Sequence, residues 1–171
     1  MECEVIEKDY FDIESLKEDY DIEFKQSAGQ DGQGKLPKSF WETYSAMANT
    51  DGGYIILGVA ENKGKLEFPG INQPEKVLKE MWDCVNNPQK VSANLLKEEN
   101  IKIKDFRKVK IIQIHIPQAG RKHKPVFING NPLTGTFRRN YEGDYRCDDD
   151  IIKQMLAEQT NDTRDAILLP K

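Results

Sequence analysis

The chain has 171 residues, enough for one domain with a real buried core, and its 32% charged and 37% hydrophobic composition is that of a polar, water-soluble protein. No apolar run approaches the ~18 residues a membrane span requires. The acidic start, MECEVIEKDYFDIES, lacks the basic-then-apolar pattern of a secretory signal, and Cys3, Cys84 and Cys147 form neither a disulfide framework nor a CxxC zinc pattern. A cytoplasmic protein with free thiols is therefore expected.

In chain order, Asp12 or Ser15 is placed to cap a short helix running toward Tyr20. Ile22 and Phe24 alternate with Asp21, Glu23 and Lys25, which predicts a half-buried strand. Ser27–Lys35 (SAGQDGQGK) is Gly-rich and polar, a loop. From Lys38 to Thr50, Phe40, Trp41, Tyr44, Met47 and Ala48 make one apolar stripe, the first firm helix. The turn Asn49–Gly53 leads into Tyr54–Leu57, closed by Gly58-Val59, a nearly unbroken apolar run that reads as a strand covered on both faces. Glu61–Lys65 reads as a hairpin turn and Leu66–Phe68 as its return strand.

A second helix starts at Pro74, with Val77, Leu78, Met81, Trp82 and Val85 facing inward, and breaks at Asn86-Asn87-Pro88. Val91–Leu96 leans toward a strand. Asn100–Phe106 and Val109–Ile116 are strands around Arg107-Lys108, the second strongly β-branched. Pro117–Lys124 is a basic loop, Pro125–Ile128 a short strand, Asn129–Pro132 a turn, Thr134–Arg139 a strand, and NYEGDYR a loop. A helix covers Asp148–Gln159, with Ile151, Ile152, Met155 and Leu156 inward. The sum is an α+β fold, one mixed, mainly antiparallel sheet flanked by about three helices. The polar-then-apolar end, NDTRDAILLPK, suggests a domain of residues 1–160, with 161–171 the start of a linker to a downstream region.

GxGxxG and GxxxxGK[ST] are both absent, and QDGQGK follows no buried strand, so a phosphate loop is not indicated. His115 in an apolar strand and His123 in a basic loop lack the Cys/His company of a metal site. Two clusters remain. If the strand bearing Glu23 runs beside Tyr54–Val59, then Glu18, Glu23 and Glu61 converge. Three carboxylates can hold Mg²⁺ or Mn²⁺, clamp a phosphodiester and activate water. The alternative is three solvated surface carboxylates.

The other cluster is basic. The net charge is −4, yet acid concentrates in residues 1–23 while 102–124 and 138–146 are locally basic. Arg121, Lys122, His123 and Lys124 share a loop, and Arg138, Arg139 and Arg146 are interleaved with Phe137, Tyr141 and Tyr145. Arginines beside aromatic rings can hold phosphates while the rings stack on bases. The alternative is a solvated loop paired with Asp144 and Asp148–Asp150.

Three stretches together, DIEFKQS (21–27), SAMANTDGGYIILGV (45–59) and TFRRNYEGDYRCDDDII (136–152), resemble the Schlafen-type AlbA domain, a divergent AAA-associated, DNA-binding family. The resemblance covers about residues 14–160. It implies an α+β nucleic-acid-binding fold (DNA or RNA), usually the N-terminal part of a transcriptional regulator or ATPase-linked protein, with Lys25, Arg121, Lys122, Lys124, Arg138, Arg139 and Arg146 as its contacts. In animal Schlafen relatives three acids cleave transfer or ribosomal RNA with a divalent metal. Those acids fall on Glu18, Glu23 and Glu61, the last replacing a common Asp with a longer arm. The relatives' zinc-binding set has no match, and one lobe of their two-lobed core is present, so a homodimer would supply the second. The expectation is thus a nucleic-acid-binding module without certain cofactor, ahead of an endoribonuclease and of a protein-interaction or dimerisation domain.

Overall fold

The computed structural model describes residues 13–168 except 14, 31 and 142, and for 161–168 the backbone alone. Residues 15–19 are helical (α1). There follow β1 (Ile22–Lys25), α2 (Phe40–Asn49), β2 (Gly53–Leu57), β3 (Ala60–Asn62), β4 (Lys65–Glu67) and α3 (Pro74–Val85). A 3₁₀ turn (Glu98–Asn100) leads to β5 (Ile101–Phe106), β6 (Val109–Ile116), α4 (Pro132–Gly135), β7 (Phe137–Asn140), β8 (Gly143–Arg146) and α5 (Asp149–Leu168). The class is α+β. Four strands form a mixed sheet in the order β1-β2-β6-β5, and β3–β4 and β7–β8 are separate two-stranded ribbons rather than parts of one sheet. Among the described strands the β1–β2 pairing is parallel and the others are antiparallel.

The apolar run in β2 is buried on both faces because the sheet is covered on both. Ile55 and Leu57 join Phe40, Tyr44 and Met47 of α2, Val77 and Met81 of α3, and Ile112, Ile114 and Ile116 of β6. Ile56 points the other way, into a second cluster with Ile13, Val59, Phe106 and Ile111, against which Ile22 and Phe24 of β1 pack. Helix α2 is buried on nearly every side, Thr43 and Ser45 included. It lies between the sheet and β7, so its polar side chains are spent on holding neighbouring segments.

The structure departs from the sequence reading at the short elements. Val91–Leu96 is not a strand, and Pro125–Ile128 is reduced to the bridges Val91–Ile128 and Phe127–Thr136. Local side chains take the ladder's place: Ser92 Oγ accepts from Phe127 N (2.8 Å) and Asn94 Oδ1 from Leu96 N (2.9 Å). Lys63 and Gly64, both at positive φ (51° and 79°), make the tight turn, which leaves Glu61 inside β3. NYEGDYR is not a loop but the tip of a hairpin and the strand β8. Helix α5 runs past Gln159 to Leu168; Ile152 is buried as expected, but Ile151 is exposed. Cys84 and Cys147 are free thiols, Cys3 lies outside the described residues, and no described helix is long and apolar enough to cross a membrane.

Candidate nucleic-acid interface

Residues paired across a ladder share one face of it, so the hairpin β7–β8 has two distinct sides. Arg139 pairs with Asp144 and faces the protein; Arg138 pairs with Tyr145 and faces outward. On the inner side the Arg139 side chain is 5% exposed and holds three carboxylates: Nε to Asp21 Oδ2 (2.8 Å), Nη2 to Glu23 Oε2 (2.7 Å) and Nη1 to Asp144 Oδ1 (2.9 Å). Thr43 of α2 donates to the other oxygen of Asp144. Burial pulls the Arg139 pKa down, but the hydrogen bonds to three carboxylates more than reverse it, so the guanidinium is raised above its ordinary value. A phosphate could reach Arg139 only by displacing these partners. Of the two arginines expected to bind together, the structure displays one and commits the other to the fold.

Arg138, Arg146, Tyr141 and Tyr145 remain on the surface, Tyr141 at 96% and Tyr145 at 54% exposure. In the second basic cluster Arg121, Lys122 and His123 are exposed and Lys124 is half-buried. Both clusters hang from the end of α2. Asn49 donates to Phe137 O of β7 (2.9 Å) and to Val126 O (2.9 Å), and accepts from Val126 N (2.8 Å). Thr50 Oγ1 accepts from Arg139 N (2.9 Å), and its carbonyl accepts from Gln118 Nε2 (2.7 Å). Ala119 N bonds to Ala48 O (2.8 Å), and Gln159 of α5 donates to the Lys122 carbonyl (2.6 Å). A rigid helix terminus thus fixes the two basic segments relative to each other.

Lys25 is not displayed. It is half-buried on β1 with Nζ donating to Ser39 Oγ (2.9 Å), and burial lowers its pKa against the opposing pull of Glu23 and Asp144. β1 does run beside β2, as the convergence of the acids required. Glu23 and Glu61 line one cavity of about 270 Å³ together with Asp21, Tyr20 and Lys17. Glu18, exposed on α1, is not among its lining residues. Asp21 and Glu23 are bound to Arg139, and Glu61 faces Lys17 at 3.5 Å. Among the described residues no three acidic, His or Cys side chains stand as a metal-holding set. As arranged, Asp21 and Glu23 are paired with Arg139 and Glu61 with Lys17. Asp21 and Thr43 were not singled out from the sequence; Asp144 was named as a pairing partner of the arginines, which it is for Arg139, and the period-two step from Phe137 to Arg139 marks Arg139 as facing inward with Phe137.

Comparison with known proteins fits this description. A family model described as Schlafen, AlbA_2 matches residues 18–148. The solution structure of the N-terminal domain of a RecG-related protein from Nitrosomonas europaea is similar, with 27% identity and a TM-score of 0.53 over 80% of this chain and 89% of that one. A crystal structure of a Corynebacterium diphtheriae protein is similar in fold, with 18% identity and a TM-score of 0.54 over 84% of this chain. The match covers 25% of that protein, so this chain corresponds to about a quarter of it. No curated protein matches the chain.

Proposed function

The chain belongs to the Schlafen AlbA_2 family, and from that premise we propose that it is a nucleic-acid-binding module. The observation that carries this reading is the β7–β8 hairpin, where Arg138 and Tyr145 are exposed on the outward face, Tyr141 is exposed at the tip and Arg146 is exposed on the other face at the ladder's end, while the neighbouring Arg139 is neutralised inside. Cations at a surface attract the phosphate backbone, and aromatic rings beside them offer contact to bases. The loop of Arg121, Lys122 and Lys124, held by the same helix end, extends the basic surface. With an overall charge of −4, attraction to phosphate has to come from such local basic surface.

A role as the N-terminal, cytoplasmic part of a transcriptional regulator or ATPase-linked protein draws support from the Nitrosomonas neighbour. That neighbour is itself an N-terminal domain, of a protein named after an ATP-dependent DNA helicase. The test is fluorescence anisotropy of labelled DNA and RNA at several salt concentrations. Binding that weakens with salt, and whose slope flattens in Arg138→Ala and Arg146→Ala, is the expected result; salt-independent binding, or none, would favour a protein-interaction or dimerisation domain. The endoribonuclease alternative draws on Glu23 and Glu61 sharing a cavity. Transfer RNA incubated with Mg²⁺ or Mn²⁺ decides it, since cleavage abolished by Glu23→Gln and by Glu61→Gln would replace the binding reading with a catalytic one.

A further inference from the structure

The tip of the β7–β8 hairpin presents a large ring to solvent. Tyr141 sits at φ 50°, as the short connection between Asn140 and Gly143 requires, although Gly or Asn is the usual residue at such a position. It is 96% exposed, so its ring is open to a partner. On the outward face behind it, Tyr145 lies back over Gly143. A Cβ at 143 would come within 2.8 Å of the Tyr145 ring, so the ring's position depends on a glycine there. Cross-strand from Tyr145 stands the exposed Arg138. One exposed ring thus stands across from a cation on the outward face, and a second exposed ring lies at the tip of the same ribbon.

We infer that this hairpin binds unpaired nucleotides, with Tyr141 and Tyr145 stacking on bases and Arg138 holding the intervening phosphate. The inference rests on the nucleic-acid-binding reading and narrows its substrate class. In a duplex the flat faces of bases are hidden in the stack, so a tyrosine ring meets them only where the strand is unpaired or frayed; an arginine meets phosphate in either form. The aromatic component therefore discriminates strand state, and the cationic component does not. Stacking is tolerant of sequence, since every base has a π-face, so no strong base preference is expected.

The experiment compares a short mixed-sequence labelled oligonucleotide with the duplex it forms with its complement, by anisotropy, using the full chain. Single strands are expected to bind more tightly by at least about tenfold, the weight of one base stacked on one ring. Tyr141→Ala and Tyr145→Ala should each remove about tenfold from single-strand affinity and leave duplex affinity in place. Tyr141→Phe and Tyr145→Phe, which keep the ring, should retain the preference. Arg138→Ala should weaken both forms alike. Equal binding of the two forms, or a single-strand preference left undiminished by each alanine variant, overturns the inference while leaving the nucleic-acid reading intact. Failure of the wild-type chain to bind either form overturns both. Circular dichroism melting of the Tyr141 variants should match wild type, because that ring touches little of the fold.

Discussion

Arg138 and Arg139 are adjacent on β7 and point to opposite sides of it, Arg138 into solvent and Arg139 into a ring of Asp21, Glu23 and Asp144. The predicted consequence is a clean separation of their effects. Arg139→Ala strands three carboxylates around a nearly buried space and should cost about 3 kcal/mol, the low end for a broken buried ion pair because the acids retain some exposure. Arg139→Lys should recover little, since one ammonium cannot reproduce a planar fork that reaches three partners. Arg138→Ala should leave the urea midpoint where it was and weaken nucleic-acid binding. Paired denaturation and anisotropy measurements check this, and a stability loss in Arg138→Ala equal to that in Arg139→Ala would refute it.

The long, periodic elements were legible in the sequence because their pattern is local. The stripe of α2 and the double-sided burial of β2 follow from residue order alone, and so does the β-branched run of β6. That β1 lies beside β2 stood only as the condition under which Glu23 and Glu61 would approach; its parallel register was not legible. What was not legible depends on pairs distant in sequence. The strand β8 was read as a loop because its Asp144 turns inward to serve Arg139, whose other partners, Asp21 and Glu23, are distant in sequence. Val91–Leu96 looked like a strand because its apolar residues gave no sign that Asn94 Oδ1 and the distant Tyr44 hydroxyl would take the Leu96 and Leu95 amides, or that Ser92 Oγ would take the Phe127 amide. The basic cluster was visible as composition, but the split between displayed Arg138 and committed Arg139 required the opposing acids.

Tyr44 predicts an alkaline limit to stability. Its ring is fully buried, and its hydroxyl donates to Ala93 O (2.8 Å) and accepts from Leu95 N (2.9 Å). Burial pushes its pKa up to about 12, outweighing the stabilising Leu95 amide. In the unfolded chain a tyrosine ionises near 10. The folded state therefore holds the neutral form, and the stability this gives is full below pH 10 and disappears as pH rises toward 12. The loss across that window should be about 2–3 kcal/mol. Urea unfolding of wild type and Tyr44→Phe between pH 9 and 12 reads it out. The variant should start lower, with the Leu95 amide unpaired, and fall less steeply; parallel curves would sink the assignment.

Gly53 opens β2 at φ 154°, and a Cβ there would lie 2.6 Å from Asp21 O and 3.0 Å from Met47 Sδ. That same Asp21 carbonyl accepts from Tyr54 N (2.8 Å), the first bond joining β1 to β2. Gly53→Ala should therefore cost about 3 kcal/mol, backbone strain plus displacement of β1. Gly64 is the control: its φ is 79° but nothing lies within 4 Å of its would-be Cβ, so Gly64→Ala should cost about 1 kcal/mol. Equal losses at the two positions would mean that strain alone, not the crowding against Asp21, sets the effect.

Asn49 offers a test of positioning without contact. Its amide ties Phe137 of β7 and both backbone groups of Val126 to the end of α2. Ser45 Oγ also donates to Val126 O (2.7 Å), so Asn49→Ala leaves the Val126 amide without its acceptor and the Phe137 carbonyl without this donor. An unsatisfied amide of this kind costs about 2 kcal/mol. Because Asn49, with Ser45 beside it accepting from Phe137 N, joins the loop 118–126 to the hairpin, its removal should raise amide exchange at Val126 and across β7 together, while the amides of β6 stay protected. Nucleic-acid affinity should fall as well, although Asn49 is half-buried and places no charge on the surface. The fall should be several-fold and should leave the slope of affinity against salt unchanged, since no phosphate contact is lost. A flattened slope would place Asn49 in the interface itself; unchanged affinity with raised exchange would show that the two basic segments bind independently.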